Sequence, residues 1–198
     1  MATWVWIVIV VAVVIVIGVI VMSASRTRRT RRLQEGFGPE YDRTVETTGD
    51  RKTAERELEE RRERREALDI RELAPAARER YVSEWRDVQV RFVDDPGAAV
   101  READTLVQRV MRERGYPTDD FEQRAADVSV DHPHVADQYR AAHSVWSANE
   151  RGEASTEDLR QSLVHYRSLF DELLGTAGAD DALARDTASE DTGAEVRR

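Results

Sequence analysis

The strongest hydrophobic pattern in this chain is the run from Trp4 to Met22, which is nineteen residues long and holds no charged side chain. At about 1.5 Å per residue, a helix of that length measures about 28 Å, close to the thickness of the hydrocarbon core of a bilayer. A single helix also satisfies all of its own backbone hydrogen bonds in lipid. The pattern therefore predicts a transmembrane helix over residues 3–24.

The two ends of this run differ in a way that predicts its orientation. Trp4 and Trp6 lie at one end, where indole rings favour the headgroup level. Five arginines follow the other end: Arg26, Arg28, Arg29, Arg31 and Arg32. Because positive charge is retained on the cytoplasmic side, we expect the N-terminus outside and the rest of the chain in the cytoplasm.

A cleaved secretory signal is the alternative interpretation, and it would make the following domain extracellular or secreted. Such a signal needs basic residues before a shorter apolar core, followed by a small-residue cleavage site. Only the small residues Ser23, Ala24 and Ser25 fit that description. The membrane anchor is the better interpretation.

Polar residues dominate the next part of the chain. Residues 25–49 are predicted to be a basic juxtamembrane segment and linker, interrupted at Gly36–Pro39 and again at Thr47–Asp50. Within residues 50–74, the stretch Arg51–Glu66 holds only Ala54 and Leu58 as apolar residues. A helix that is polar nearly all round buries little, which predicts a solvated helical spacer. One partner of a weak coiled coil is the alternative, and weak self-association through the span or the spacer also stays open.

Residues 75–175 carry the clearest helical periodicity. Five apolar stripes recur at i, i+3 or i+4 spacing, separated by turn and capping signals such as Asp95-Pro96, Gly115, Gly152 and Gly175. The stripes are Tyr81, Trp85, Val88 and Phe92; Val100, Ala103, Val107 and Val110; Phe121, Ala125 and Val128; Val135, Tyr139, Ala142 and Trp146; and Leu159, Leu163, Tyr166, Phe170 and Leu173. This pattern predicts a compact bundle of about five short helices.

The predicted fold class is therefore all-α: a transmembrane helix, a charged helical spacer, the bundle, and a disordered tail over residues 176–198. Charge refines this arrangement, because the net charge of −9 is unevenly distributed. Residues 67–175 hold 22 acidic and 14 basic side chains. Anionic lipid would attract the basic segment after the span and repel the acidic bundle.

Composition excludes several kinds of chemistry. Without cysteine there is no disulfide, thiolate metal site or cysteine nucleophile. Lys52 is the only lysine among thirty basic residues, a bias that a GC-rich coding sequence explains, so we predict no nucleic-acid binding.

The histidines are the remaining candidates for chemistry. His132 and His134 flank a proline at a predicted helix start and lie beside Asp131, with Asp127 or Asp131 as a further oxygen ligand and Asp137 close in sequence. This spacing lacks a second ligand cluster, so Asp131, His132 and His134 are only weak candidates for a metal site. His143 and His165 flank apolar stripes and need no special role. We predict no catalytic residue, no cofactor-binding residue and no cofactor.

One resemblance follows from a series of short motifs. They are Phe37-Gly38-Pro39-Glu40-Tyr41-Asp42, then Gly115-Tyr116-Pro117 with Phe121-Glu122-Gln123-Arg124, then Val130-Asp131-His132-Pro133. This order resembles an uncharacterised family of bacterial proteins whose members are labelled membrane or secreted proteins of unknown function. The resemblance implies a single-pass membrane protein with a helical domain, and it implies no activity, cofactor or catalytic residue.

These patterns together predict a membrane-anchored interaction or scaffold protein without catalytic activity. Its expected partners are the lipid bilayer and a protein. Two alternatives remain open at this point: a metal-dependent enzyme or metal-binding protein that uses the Asp131–His134 region, and a domain that senses a small molecule between its helices.

Overall fold

The computed structural model describes residue 17 and residues 27–175. Apart from Ile17, the predicted transmembrane helix lies outside the described residues, as do Arg26 and the predicted tail over 176–198. Within the described part of the chain, no helix is both long enough and apolar enough to cross a bilayer.

Eight helices and no strand make up the described residues, which confirms the all-α prediction. Residues 27–37 are helical and form α1. The other helices are α2 (Pro39–Thr48), α3 (Arg51–Glu66), α4 (Pro75–Asp94), α5 (Pro96–Arg114), α6 (Phe121–Asp131), α7 (Pro133–Glu150) and α8 (Thr156–Leu174). The chain divides into two compact units between Glu60 and Arg61, here called the N-terminal unit and the C-terminal unit.

The N-terminal unit contains α1, α2 and most of α3. Gly38, with a φ of 48°, separates α1 from α2, and Gly49, with a φ of 67°, ends α2. Thr30 on α1 donates a hydrogen bond to Glu55 on α3 at 2.8 Å, and Arg29 pairs with Glu59 at 3.7 Å. These contacts place α1 alongside α3, running in the opposite direction.

Burial in this unit differs from the sequence-based prediction of a linker followed by a solvated spacer. Ala54 and Leu58 on α3 have no exposed surface, and Leu33, Phe37 and Tyr41 are also buried. Ala54 and Leu58 are spaced i and i+4, so they lie on one face of α3. This face of α3 holds only two apolar side chains, and other residues of the protein cover both of them. Helical periodicity alone does not predict such burial.

The C-terminal unit is the predicted bundle of five helices. Helix α7 packs on α8, α5 packs on α4 and α8, and α6 packs on α7. The predicted stripes form one hydrophobic core, with Phe92, Phe121, Trp146 and Leu163 partly buried at its margin. Trp85 stacks on Phe170 at a ring-centroid distance of 4.7 Å in this core.

Most of the predicted helix ends in the bundle are confirmed. Asp95 accepts a hydrogen bond from Ala98 N at 2.9 Å and caps α5, and Ser155 with Asp158 forms a capping box on α8. Helix α6 is capped by Asp120, whose side chain accepts from Gln123 N at 2.8 Å.

Gly115 ends α5 at a place where a glycine is required. Its φ is 101°, and a Cβ at this position would lie 2.3 Å from the carbonyl oxygen of Asp69. The segment that contains Asp69 is also held by a hydrogen bond of 2.9 Å from Arg71 N to Arg114 O. The turn after α5 is therefore built around a close backbone approach that any larger residue would obstruct.

Candidate functional site

The predicted metal-binding residues lie at the junction of α6 and α7. The Asp131 carboxylate accepts hydrogen bonds from Arg65 Nε and from the Tyr116 hydroxyl. His132 points elsewhere, with its Nδ1 at 3.0 Å from Glu172 Oε2 on α8. His134 is exposed at the first turn of α7. The structure thus gives Asp131 and His132 separate partners.

The neighbouring carboxylates also have local partners. Asp127 is buried on α6 and accepts from Gln123 Nε2 at 2.8 Å, and Asp137 pairs with Arg140 at 3.1 Å. Burial raises the pKa of Asp127, although the hydrogen bond from Gln123 opposes this shift. Within residues 27–175, no group of three or more His, Asp or Glu side chains is arranged to hold a metal ion.

His132 does line a small pocket at one end of the bundle, here called the end pocket. Its volume is about 340 Å³. It is lined by Glu72, Leu73, Arg78, Arg114, His132, Glu172, Leu173, Leu174 and Gly175. Arg114 is fixed at its wall, because Nη1 donates to Leu173 O at 3.1 Å and Nε donates to Arg71 O at 3.3 Å.

Two nitrogen atoms at the end pocket are buried without a hydrogen bond to any described residue, Nε of Arg78 and Nε2 of His132. A buried polar atom without a partner costs free energy, so a partner from outside the described chain would be favoured there. The end pocket thus brings together two guanidinium groups, Arg78 and Arg114, and two carboxylates, Glu72 and Glu172.

A second polar cluster lies inside the bundle, and sequence analysis missed it. Asp104 on α5 accepts from the Tyr166 hydroxyl at 3.0 Å and from Gln108 Nε2 at 2.6 Å. Arg124 on α6 donates from Nε to the Tyr139 hydroxyl at 3.0 Å. Asp104 and Arg124 are both nearly fully buried, and the rings of Tyr139 and Tyr166 meet edge to face at 6.2 Å.

This cluster holds the helices in register instead of presenting a reactive group. Burial raises the pKa of Tyr139 to about 12, and burial followed by the nearby charge of Asp104 raises the pKa of Tyr166. Both hydroxyls therefore stay neutral: Tyr166 donates to Asp104, and Tyr139 accepts from Arg124. The signal for Asp104 was its position, four residues after Val100 on the apolar face of α5.

The other two histidines lie on α7 and α8. His143 stacks on Phe121 at 3.6 Å and on Trp146 at 4.9 Å, and burial lowers the pKa of its imidazole. His165 lies 3.5 Å from Gln161 on the outer part of α8. Neither imidazole lines the end pocket.

The part of the predicted anchor that the structure describes is the basic segment on α1. Arg28, Arg29, Arg31 and Arg32 are all exposed. Arg29 and Arg31 lie on one wall of a groove within the N-terminal unit, and the first turn of α3 forms the other wall. The structure therefore adds a shaped cationic surface to what the sequence presents only as a charge run.

Comparison with known proteins does not assign this chain to a family. The chain matches no family model, no curated protein and no solved structure. The class that the structure defines is an all-helical protein of two compact units, and the resemblance in the sequence motifs stays a prediction.

Proposed function

We propose that this protein is a membrane-anchored helical interaction module without catalytic activity. The observation that carries the proposal is the uncharged run from Trp4 to Met22 followed directly by five arginines. In this proposal the N-terminus lies outside and both helical units lie in the cytoplasm. The anchor fixes the protein at the membrane, and the bundle presents its surface to a protein partner.

Two features of the bundle support a binding role. Residues 67–175 have eight more acidic than basic side chains, so the surface favours a partner with basic residues. Four titratable groups of its interior form two hydrogen-bonded pairs, Tyr166 with Asp104 and Arg124 with Tyr139, and each pair joins two helices. Their contacts have a structural purpose, and the proposal assigns them no part in a reaction.

Reporter fusions test the membrane topology. A phosphatase that is active only outside the membrane and a fluorescent protein that matures only inside would be fused separately after Arg198. We expect fluorescence without phosphatase activity. The matched control replaces the five arginines between Arg26 and Arg32 by glutamine and should reduce this preference.

Phosphatase activity alone would overturn the proposed orientation and place the units outside. The mass of the purified chain distinguishes the two reasons for that outcome. An intact N-terminus would indicate an inverted anchor, whereas loss of residues before Arg26 would indicate a cleaved signal.

The end pocket favours a second candidate function, the sensing of a small anionic molecule. Its support is the buried Arg78 Nε, which has no hydrogen-bond partner within the described chain. A thermal-shift screen of small carboxylates and phosphates against the full chain would test it, with Arg78→Gln as the variant. Arg86→Gln, an exposed change on the same helix, is the control. Stabilisation that Arg78→Gln abolishes and Arg86→Gln retains would support sensing; its absence would exclude this candidate.

A further inference from the structure

The groove on the N-terminal unit combines a defined shape with a surplus of positive charge. Its volume is about 920 Å³, and it lies between α1 and the first turn of α3. Four basic side chains line it: Arg29, Arg31, Arg51 and Lys52. Two carboxylates line it as well, Asp50 and Glu55, so the groove has two more positive than negative side chains.

Both carboxylates are committed to contacts within the unit. Asp50 caps α3, accepting from Thr53 N at 2.9 Å and from Thr53 Oγ1 at 2.6 Å. Glu55 accepts three hydrogen bonds, from Thr30 Oγ1 at 2.8 Å, Tyr41 Oη at 3.0 Å and Arg51 Nε at 3.1 Å. The side chains that carry negative charge in the groove are therefore held in place by other groups.

The basic side chains are committed to different degrees. Arg51 is positioned by Tyr41 and Glu55, and Arg29 is half exposed and pairs with Glu59 at 3.7 Å. Arg31 is exposed and makes no hydrogen bond or ion pair with another residue of the range 27–175. Lys52 is exposed, with the capping carboxylate of Asp50 as its neighbouring charge. Arg31 and Lys52 are thus the groups with the most capacity to bind an anion.

The position of the groove in the chain indicates which anion it meets. Arg31 follows Met22, the last residue of the apolar run, by only nine residues. Even a fully extended segment of that length spans only about 30 Å, so the anchor would keep the groove near the bilayer surface. Anionic headgroups are concentrated at that surface, and guanidinium and ammonium groups both bind phosphate well.

We propose that this groove binds the phosphate of an anionic phospholipid headgroup, with Arg31 and Lys52 as its main contacts. The inference rests on the proposed membrane anchor. It differs from the topology role of the arginine run, because it requires a residue from α3 that lies twenty-one positions away from Arg31. The site would orient the N-terminal unit against the membrane in addition to tethering it.

Lipid binding to the full chain in an uncharged detergent tests the proposal. The probes are phosphatidylglycerol, phosphatidylcholine and inorganic phosphate, and native mass spectrometry measures the lipid retained by each chain and its apparent affinity. We expect retention of phosphatidylglycerol in preference to phosphatidylcholine. The double variant Arg31→Gln with Lys52→Gln should bind phosphatidylglycerol about tenfold more weakly.

The matched control is Arg32→Gln with Arg56→Gln, which removes two exposed charges of the same unit that do not line the groove. It should change the affinity less than about twofold. Equal losses in both double variants would overturn the proposal and show that the basic segment acts as a diffuse charge. Circular dichroism of both variants verifies that the helices are retained.

Inorganic phosphate distinguishes the two sources of the ligand. If phosphate displaces phosphatidylglycerol as effectively as the lipid itself does, the groove binds a free phosphate compound and the lipid proposal is overturned. Detergent micelles have no inside or outside, so the result does not depend on membrane orientation. A failed topology test would leave the measured lipid site intact, and a failed lipid test would leave the topology intact.

Discussion

The two units differ in what holds their helices together. Among the described residues, the N-terminal unit buries five apolar side chains: Leu33, Phe37, Tyr41, Ala54 and Leu58. The C-terminal unit buries one continuous cluster of 23 residues, which consists of Leu73 and residues of α4 to α8 and the segments between them. The N-terminal unit adds polar contacts centred on Glu55, which links Thr30, Tyr41 and Arg51.

A strongly charged segment can thus belong to a folded unit when a few apolar side chains and a polar network hold its helices. A small unit has a high ratio of surface to volume, so each of its few buried side chains carries a large share of the stability. A larger core distributes the same task over many contacts. We therefore expect the N-terminal unit to be the more sensitive to changes in charge and pH, and the C-terminal unit to depend on packing.

The largest expected effect is the loss of the central indole in the C-terminal unit. Trp85 is fully buried and stacks on Phe170, so Trp85→Ala should lower the free energy of unfolding by about 3–5 kcal/mol. Urea unfolding followed by circular dichroism measures this loss. Trp85→Phe keeps an aromatic ring and removes an indole N–H that has no partner among the described residues, so it should cost much less. Equal losses for the two variants would argue against the stack.

A somewhat smaller effect is expected from Leu58 on α3. Leu58→Ala should cost about 2–3 kcal/mol, because a fully buried leucine leaves a cavity when it is truncated. Hydrogen exchange measures where the loss falls, and we expect it at amides of α1, α2 and α3. Arg56→Ala, two positions earlier and exposed, should change exchange very little.

Hydrogen exchange of the Leu58→Ala variant also tests whether the two units are independent. If Leu58→Ala loosened α4 to α8 as much as α1 to α3, the two units would unfold as one, and their separate cores would have no thermodynamic meaning. If the α3 amides exchanged no faster in Leu58→Ala than in Arg56→Ala, the solvated spacer predicted from the sequence would describe α3 better than a helix of a folded unit.

The smallest expected effects are on the pH dependence of stability, and they have opposite signs in the two units. In the N-terminal unit, burial tends to raise the pKa of Glu55, but hydrogen bonds from Thr30, Tyr41 and Arg51 outweigh it and lower the pKa. The stability that Glu55 contributes is therefore complete above its unfolded pKa, about 4.3, and is lost as the pH falls through the folded value.

In the C-terminal unit, burial raises the pKa of Asp127. The stability that Asp127 contributes is therefore complete below its unfolded pKa, about 3.9, and is lost as the pH rises through the folded value.

Glu55→Gln should cost about 0.5–1 kcal/mol at neutral pH and less in acid. Asp127→Asn, which keeps an oxygen for Gln123, should stabilise the protein slightly at neutral pH and hardly at all in acid.

Urea unfolding of both variants and the parent at about pH 4 and about pH 7 measures these differences. A loss of stability in both variants at neutral pH would contradict the prediction for Asp127. It would show that the Asp127 carboxylate gains more free energy from its surroundings than its burial costs.

The bundle could be predicted from the sequence because its helices repeat an apolar stripe and carry local end signals. Trp85, Tyr139 and Phe170 lie at core positions of such stripes, and all three are fully buried. Capping by Asp95 and Ser155 involves atoms within three residues, so the local sequence contains the whole interaction.

The polar cluster and the N-terminal unit could not be predicted in the same way. Asp104 and Arg124 are stabilised by Tyr166 and Tyr139, partners 62 and 15 residues away, and nothing in the neighbouring sequence identifies those partners. The metal hypothesis at Asp131 and His132 had the same difficulty, because closeness in sequence does not decide whether two side chains point to one place. Asp131 pairs with Arg65, whereas His132 pairs with Glu172 on α8.

Four features follow from the amino-acid sequence alone: the helical character of this protein, the ends of most bundle helices, the core positions of the bundle and the separation of a basic segment from an acidic one. Helical periodicity, capping and net charge are local or additive properties, so they can be read along one chain. Three others depend on long-range packing: the burial of Ala54 and Leu58, the hydrogen bond from Tyr166 to Asp104, and the groove that Arg31 and Lys52 both line. Each of these facts depends on which distant segments come together, and that depends on the free energy of the whole fold.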